Sequence, residues 1–163
     1  MRNDGSNRDM ADTLDGNEPL SPTDNLLACI HVVSNLIDRA FYSEVESKWG
    51  ITLPEWRVVL TLADRPGASA MEITDLWGME KMAVSRATRR LERDGHVTRT
   101  IDSRDRRRFT LALTASGQAL YRKVEPDATA RYRAILGSLS RNERATALRS
   151  LRKMIDQIGT LPD

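Results

Sequence analysis

At 163 residues the chain matches one globular domain, or one domain with a tail, and 40% hydrophobic, 29% charged and 5% aromatic residues exclude collagen-like, disulfide-framework and largely disordered chains. The longest apolar run, Leu26-Leu27-Ala28-Cys29-Ile30, is far below the roughly 18 residues of a membrane span, and the N-terminus lacks a signal-type apolar core, so the expected location is cytoplasmic with no membrane partner. The formal net charge of +2 averages two unlike regions: residues 1–25 carry two Arg against six acidic residues, net −4, while residues 80–108 carry ten basic against five acidic residues, net +5. Positive charge gathered in one short stretch is the footprint of a polyanion partner. One Cys cannot form an internal disulfide, and with two His it leaves too few ligands for structural zinc, so no metal is expected.

Residues 1–20 are rich in Asn, Asp, Gly and Ser and lack the apolar side chains that would offset ordering, which predicts a disordered acidic tail. The remainder, 21–163, reads as a single domain. Ser21-Pro22 signals a helix start, and Leu26, Leu27, Ile30, Val33, Ile37, Ala40, Phe41 and Val45 recur at helical spacing until Gly50 ends the helix. Thr52 and Glu55 form a capping box, with Pro54 in the first turn and Ile51 placed to staple onto Trp56, which predicts a helix over 53–64. Ser69 and Glu72 box a second helix through Trp77, Gly78 turns the chain, and a third helix spans about 81–93 before Asp94-Gly95. Two helices joined by a glycine-containing turn make a helix-turn-helix.

From Val97 the period falls to two, and Phe109, Leu111 and Leu113 alternate with polar or small residues opposite a strand over 97–101. Residues 102–108 are then the tip of a basic hairpin, a wing. Thr114 caps a long helix to about 136 carrying Leu120, Val124, Ala128, Tyr132 and Ile135, and Ser140 with Glu143 boxes a last helix striped with Ala145, Leu148, Leu151, Ile155 and Ile158. The fold class is mainly α with a small β-hairpin wing (α+β): a winged helix-turn-helix over about 53–113, between long helices over about 22–48 and 114–160.

If Val84, Ala87, Thr88 and Leu91 face the core, the opposite face of the 81–93 helix presents Lys81, Met82, Ser85, Arg86, Arg89 and Arg93, whose short members allow approach to base edges while Arg clamps guanine or phosphate. Ser69 and Arg90 join the DNA-facing set. Arg104, Arg106, Arg107 and Arg108 in one tight hairpin repel one another and stabilise nothing, but suit a narrow minor groove, with Asp105 placed to orient a guanidinium. The bland alternative, a solvated basic face, weighs more on the helix than on the wing.

Leu91-Glu92-Arg93-Asp94-Gly95-His96-Val97, then Asp102-Ser103-Arg104-Asp105-Arg106-Arg107, then Leu113-Thr114-Ala115-Ser116-Gly117 resembles the MarR family of multiple antibiotic resistance type regulators. The resemblance covers about residues 24–160, including Leu53-Pro54-Glu55-Trp56-Arg57-Val58-Val59, and Ser103 stands where Pro is common. It implies a homodimer built from the first and last helices, here Leu26, Ile30, Leu148, Leu151, Ile155 and Ile158, with two winged lobes on a pseudo-palindromic double-stranded operator. Apolar terminal helices agree with burial in a two-fold interface. It also implies a small phenolic or aromatic carboxylate effector; His31, Asn35, Trp49, Trp56 and Arg57 are the ligand-contacting candidates, with Trp77 a further wall, against the plainer reading of packed or solvated residues.

The expected function is therefore a dimeric repressor released by a small aromatic or phenolic ligand. An oxidant sensor through Cys29 is the first alternative, although the apolar neighbours of Cys29 argue for a buried structural thiol. A non-specific architectural DNA-binding protein is the second. Catalysis is not expected, since His31 and His96 fall on different elements and no nucleophile or phosphate-loop motif has its context, and no cofactor is implied.

Overall fold

The computed structural model describes residues 25–101 and 109–160. The chain divides into two compact units, one ending at Ile37 and the other beginning at Asp38. Helix α1 (Leu26–Phe41) runs across that boundary. At its start Asn25 Oδ1 accepts the Ala28 N–H at 2.7 Å, and the expected start at Ser21-Pro22 lies outside the described residues. Within the first unit Leu26, Leu27, Val32, Val33 and Leu36 are exposed and Ile30 is half-buried.

In the second unit α1 passes into a π-helical stretch, Tyr42–Glu46, and a last turn, α2 (Ser47–Trp49), which stops at left-handed Gly50 (φ 67°). The sequence reading has one unbroken α-helix here; the π stretch is a departure from it. Of the expected stripe, Phe41 and Val45, both in the second unit, are buried in its core.

Helix α3 (Leu53–Asp64) opens on the complete Thr52/Glu55 capping box, and Ile51 and Trp56 are both buried, as the staple requires. Helix α4 (Ala70–Trp77) opens on the Ser69/Glu72 box and closes at left-handed Gly78. Helix α5 (Lys81–Arg93) buries Val84, Ala87, Thr88 and Leu91 against α3 and α4. Strands β1 (Val97–Ile101) and β2 (Phe109–Leu113) pair antiparallel, with Val97 opposite Leu113 and Ile101 opposite Phe109. The anticipated alternation of β2 holds at Leu111, which is buried; Leu113 at the hairpin base is half-buried, and Phe109 is exposed where the hairpin leaves the core towards its tip. Backbone bonds from Gly67 N–H to Leu111 O (2.9 Å) and from Leu111 N–H to the Ala68 carbonyl (3.1 Å) anchor its base.

Helix α6 (Ala115–Leu136) follows the Thr114 cap, and α7 (Arg141–Ile158) follows the Ser140/Glu143 box. Val124 and Ala128 of α6 enter the core with Trp56, Val58, Val59, Leu62, Ile73 and Leu111. No residue of α7 is buried. Among the described residues no helix is long and apolar enough to cross a membrane.

Candidate nucleic-acid interface

The site is built on α5, whose four buried residues fix which face looks outward. Gly78 turns the chain so that only three residues separate α4 from α5, with Glu80 at the N-cap of α5. Glu80 makes no side-chain cap bond, and its carbonyl accepts the Ala83 N–H at 2.9 Å. Lys81, Met82, Arg86 and Arg89 are exposed and Ser85 half-buried. Among the described residues, Lys81, Arg86 and Arg89 have no side-chain hydrogen-bond or ion-pair partner, so their charge is uncommitted.

Three other members of the set have internal partners. Arg90 turns back into the lobe: its Nε meets Glu55 Oε1 at 3.2 Å, a terminal nitrogen donates to the Gly50 carbonyl at 3.3 Å, and Asp94 Oδ2 stands at 3.8 Å. These partners engage its guanidinium within the lobe although the residue is exposed. Arg93 pairs with Asp94 at 3.2 Å. The Ser69 hydroxyl accepts from the Glu72 N–H at 3.2 Å and donates to Glu72 Oε2 at 2.7 Å, so it caps α4 and its donor is spent.

The wing residues Arg104, Asp105, Arg106, Arg107 and Arg108 lie outside the described residues. The base of the wing is tied to the start of α6. Thr114 Oγ1 donates to the Gly95 carbonyl at 2.6 Å and accepts from Gly117 N–H at 3.0 Å, Thr114 N–H donates to the His96 carbonyl at 3.0 Å, and His96 Nδ1 lies 3.0 Å from Ser116 Oγ. A Cβ on Gly117 would collide with the His96 carbonyl, so glycine lets the helix approach that turn. At mid-hairpin, Arg99 pairs with Glu92 at 3.3 Å and lies over the Phe109 ring at 4.9 Å.

Of the expected effector residues, His31 and Asn35 belong to the first unit and Trp49, Trp56 and Arg57 to the second. Trp56 is fully buried and stacks on Tyr121 at 5.8 Å, which makes it core rather than a ligand wall. Trp49 Nε1 donates to Asp127 Oδ2 at 2.7 Å, beside the Lys48–Asp127 pair at 2.7 Å. The Lys48 and Trp49 hydrogen bonds hold the Asp127 carboxyl below the usual carboxylate range. His31 and Asn35 are exposed on α1, in the first unit. Cys29 is exposed too, against the expectation of burial, because its apolar neighbours belong to the uncovered part of α1.

Arg57 is better placed. Its guanidinium lies over the Trp77 ring at 5.5 Å and 3.9 Å from Asp38, and Trp77 Nε1 donates to Thr61 Oγ1 at 2.8 Å. Burial pushes the nearby Tyr132 hydroxyl above the usual tyrosine range, against the pull of Arg57. Beside them an open groove of about 360 Å³ is lined by Leu60, Thr61, Ala63, Asp64, Leu76, Trp77 and Tyr121. Apart from Trp77, these groove residues carry no signal in the sequence, because α3, α4 and α6 bring them together only on folding.

The MarR family description matches residues 49–108. The transcriptional activatory protein BadR of Rhodopseudomonas palustris is 31% identical over 140 residues, 82% of this chain and 78% of BadR. The homoprotocatechuate degradative operon repressor of Escherichia coli is 27% identical over 96 residues, 59% of this chain and 65% of the repressor. Among solved structures, a MarR/EmrR family transcriptional regulator from Acinetobacter sp. ADP1 superposes with a TM-score of 0.80 at 25% identity, over 87% of this chain and all of the other.

Proposed function

Since the chain belongs to the MarR family of transcriptional regulators, we propose that it is a sequence-specific DNA-binding repressor, cytoplasmic and homodimeric, released by a small aromatic or phenolic ligand. The observation that carries the reading is the outward face of α5, where Lys81, Arg86 and Arg89 stand, among the described residues, without side-chain partners around Met82 and Ser85. Such a face has no stabilising role in the lobe, and its mixture of short and cationic side chains suits the edges and phosphates of a major groove. In this reading Arg104, Arg106, Arg107 and Arg108 enter the adjacent minor groove, with Asp105 as orienting partner.

Repression and an aromatic effector are supported by the name of the homoprotocatechuate operon repressor. Activation is a second reading for the sign of regulation, favoured by the activatory role in the name of BadR. Arg57 over Trp77 beside the groove supplies a cation and an aromatic wall for an aromatic anion. The exposed thiol of Cys29 keeps an oxidant response as an alternative trigger, which a Cys29→Ser protein that still responds to peroxide eliminates.

The test is a binding titration on DNA flanking the chain's own gene against random duplex of equal length. Ser85→Ala and Arg86→Ala should each lower affinity for the specific site more than for random DNA, by roughly 1–3 kcal/mol per lost base contact. Equal losses on both would reduce these residues to phosphate contacts. A wild-type protein with no preference would turn the reading towards an architectural protein.

A further inference from the structure

We propose that Glu55 is a positioning residue for DNA reading: through Arg90 it fixes the orientation of α5 on the lobe, and so governs specificity rather than overall affinity. The inference rests on the DNA-binding reading of α5. Glu55 is 4% exposed, and a buried carboxylate needs partners for both oxygens. Oε2 accepts the Thr52 N–H at 2.9 Å and completes the capping box. That duty requires only an acceptor, which glutamine supplies equally well. The charge serves the other oxygen, where Oε1 meets Arg90 Nε at 3.2 Å.

Arg90 lies in the last turn of α5 and reaches three places at once: Glu55 in the first turn of α3, the carbonyl of Gly50 at the end of α2, and Asp94 beyond its own helix. Helices α3 and α5 also pack together, and Val58 of α3 and Val84 and Leu91 of α5 share the apolar core. Apolar burial is non-directional and tolerates small rotations of one helix on another. Arg90 is less tolerant: its hydrogen bond to the Gly50 carbonyl has a narrow angle and length, and the Glu55 carboxylate 3.2 Å from Nε holds the guanidinium there by charge. With side-chain tips about 5–6 Å from a helix axis, a rotation of about 10° moves Ser85 and Arg86 by about 1 Å. A shift of that size breaks a bidentate base contact but is absorbed by a phosphate contact.

The experiment uses the full chain with Glu55→Gln, Arg90→Gln and the double variant, each measured on specific and random duplex over a salt series, with circular dichroism as the folding control. The expected result is a loss of about tenfold in the specific-to-random ratio for each single variant. Random-DNA affinity should be unchanged or tighter in Glu55→Gln, because Arg90 is released from its partner. The double variant should lose no more than either single one, since both break the same connection. If Glu55→Gln does not fold, Arg90→Gln decides by the same ratio, because its side chain is half-exposed and tolerates replacement. The proposal is overturned if Glu55→Gln keeps the wild-type ratio, or if Arg90→Gln weakens both duplexes equally and lowers the salt slope, which would make Arg90 a phosphate contact. A wild-type protein without preference for the specific site would instead overturn the DNA-reading function beneath it.

Discussion

Gly117 shows how one residue can be fixed by its neighbours rather than by its helix. Alanine is favoured over glycine in a helix by about 1 kcal/mol, so Gly117→Ala should stabilise an isolated helix. Here the added methyl meets the His96 carbonyl, and the α6 start must back away from the turn that leads into β1. Gly117→Ala should therefore destabilise by about 1–3 kcal/mol in chemical denaturation, and equal or greater stability would refute the close approach. Asp127 is a second single-residue case. A carboxyl held low by Lys48 and then Trp49 stabilises fully above its unfolded value of about 3.9 and loses that contribution as pH falls through its lower folded value. The stability difference between wild type and Asp127→Asn in urea titrations should stay constant from about pH 7 to 5 and shrink below about pH 4. A difference that widens on acidification would sink this assignment.

At the scale of elements, the three capping boxes explain why α3, α4 and α7 start where they do, since each depends on two residues three apart. Ser140→Ala should cost about 1 kcal/mol, and it should appear as early loss of helix content if α7 frays from that end. The hairpin carries a different prediction. If Arg106 and Arg107 contact phosphates from the wing, each Arg→Ala variant should lower the log–log salt slope of binding by about 0.9 per site, roughly 1.8 per dimer. Wild-type slope and affinity in both variants would remove the wing from the interface.

For the whole molecule the telling feature is the apolar row of α7. Leu148 is 50% exposed, Leu151 40%, Ile155 66% and Ile158 62%, although they share one helical face. Exposed apolar rows of this length mark interaction surfaces. In the proposed homodimer they join Leu26 and Ile30 in the seam that sets two α5 helices about one DNA turn apart. Leu151→Asp places a charge in that seam and should yield a folded monomer by sedimentation that loses specific DNA binding while every DNA-facing residue remains. A dimer that binds normally would show that the row packs elsewhere, and a monomer with full specific affinity would uncouple assembly from recognition.

The sequence by itself determined the order and type of the elements, the helix-turn-helix and the two strands of the wing. Those features depend on neighbours within four residues: the capping boxes, the glycines at positions 50, 78 and 95, and the switch of period after Val97. It also determined which face of α5 turns inward, because Val84, Ala87, Thr88 and Leu91 alone could enter a core. What it left open depends on residues far apart in the chain. Arg90 and Arg86 are indistinguishable as letters on one basic helix, and only the position of Glu55, 35 residues earlier, separates an anchor from a free cation. Trp56 looks like a ligand wall until Tyr121 covers it, Cys29 looks buried until α1 is found uncovered, and the π-helical turn follows no local signal. Periodicity and capping act over one or two helical turns, whereas ion pairs, ring stacking and groove walls exist only once the chain has brought distant residues within a few ångströms.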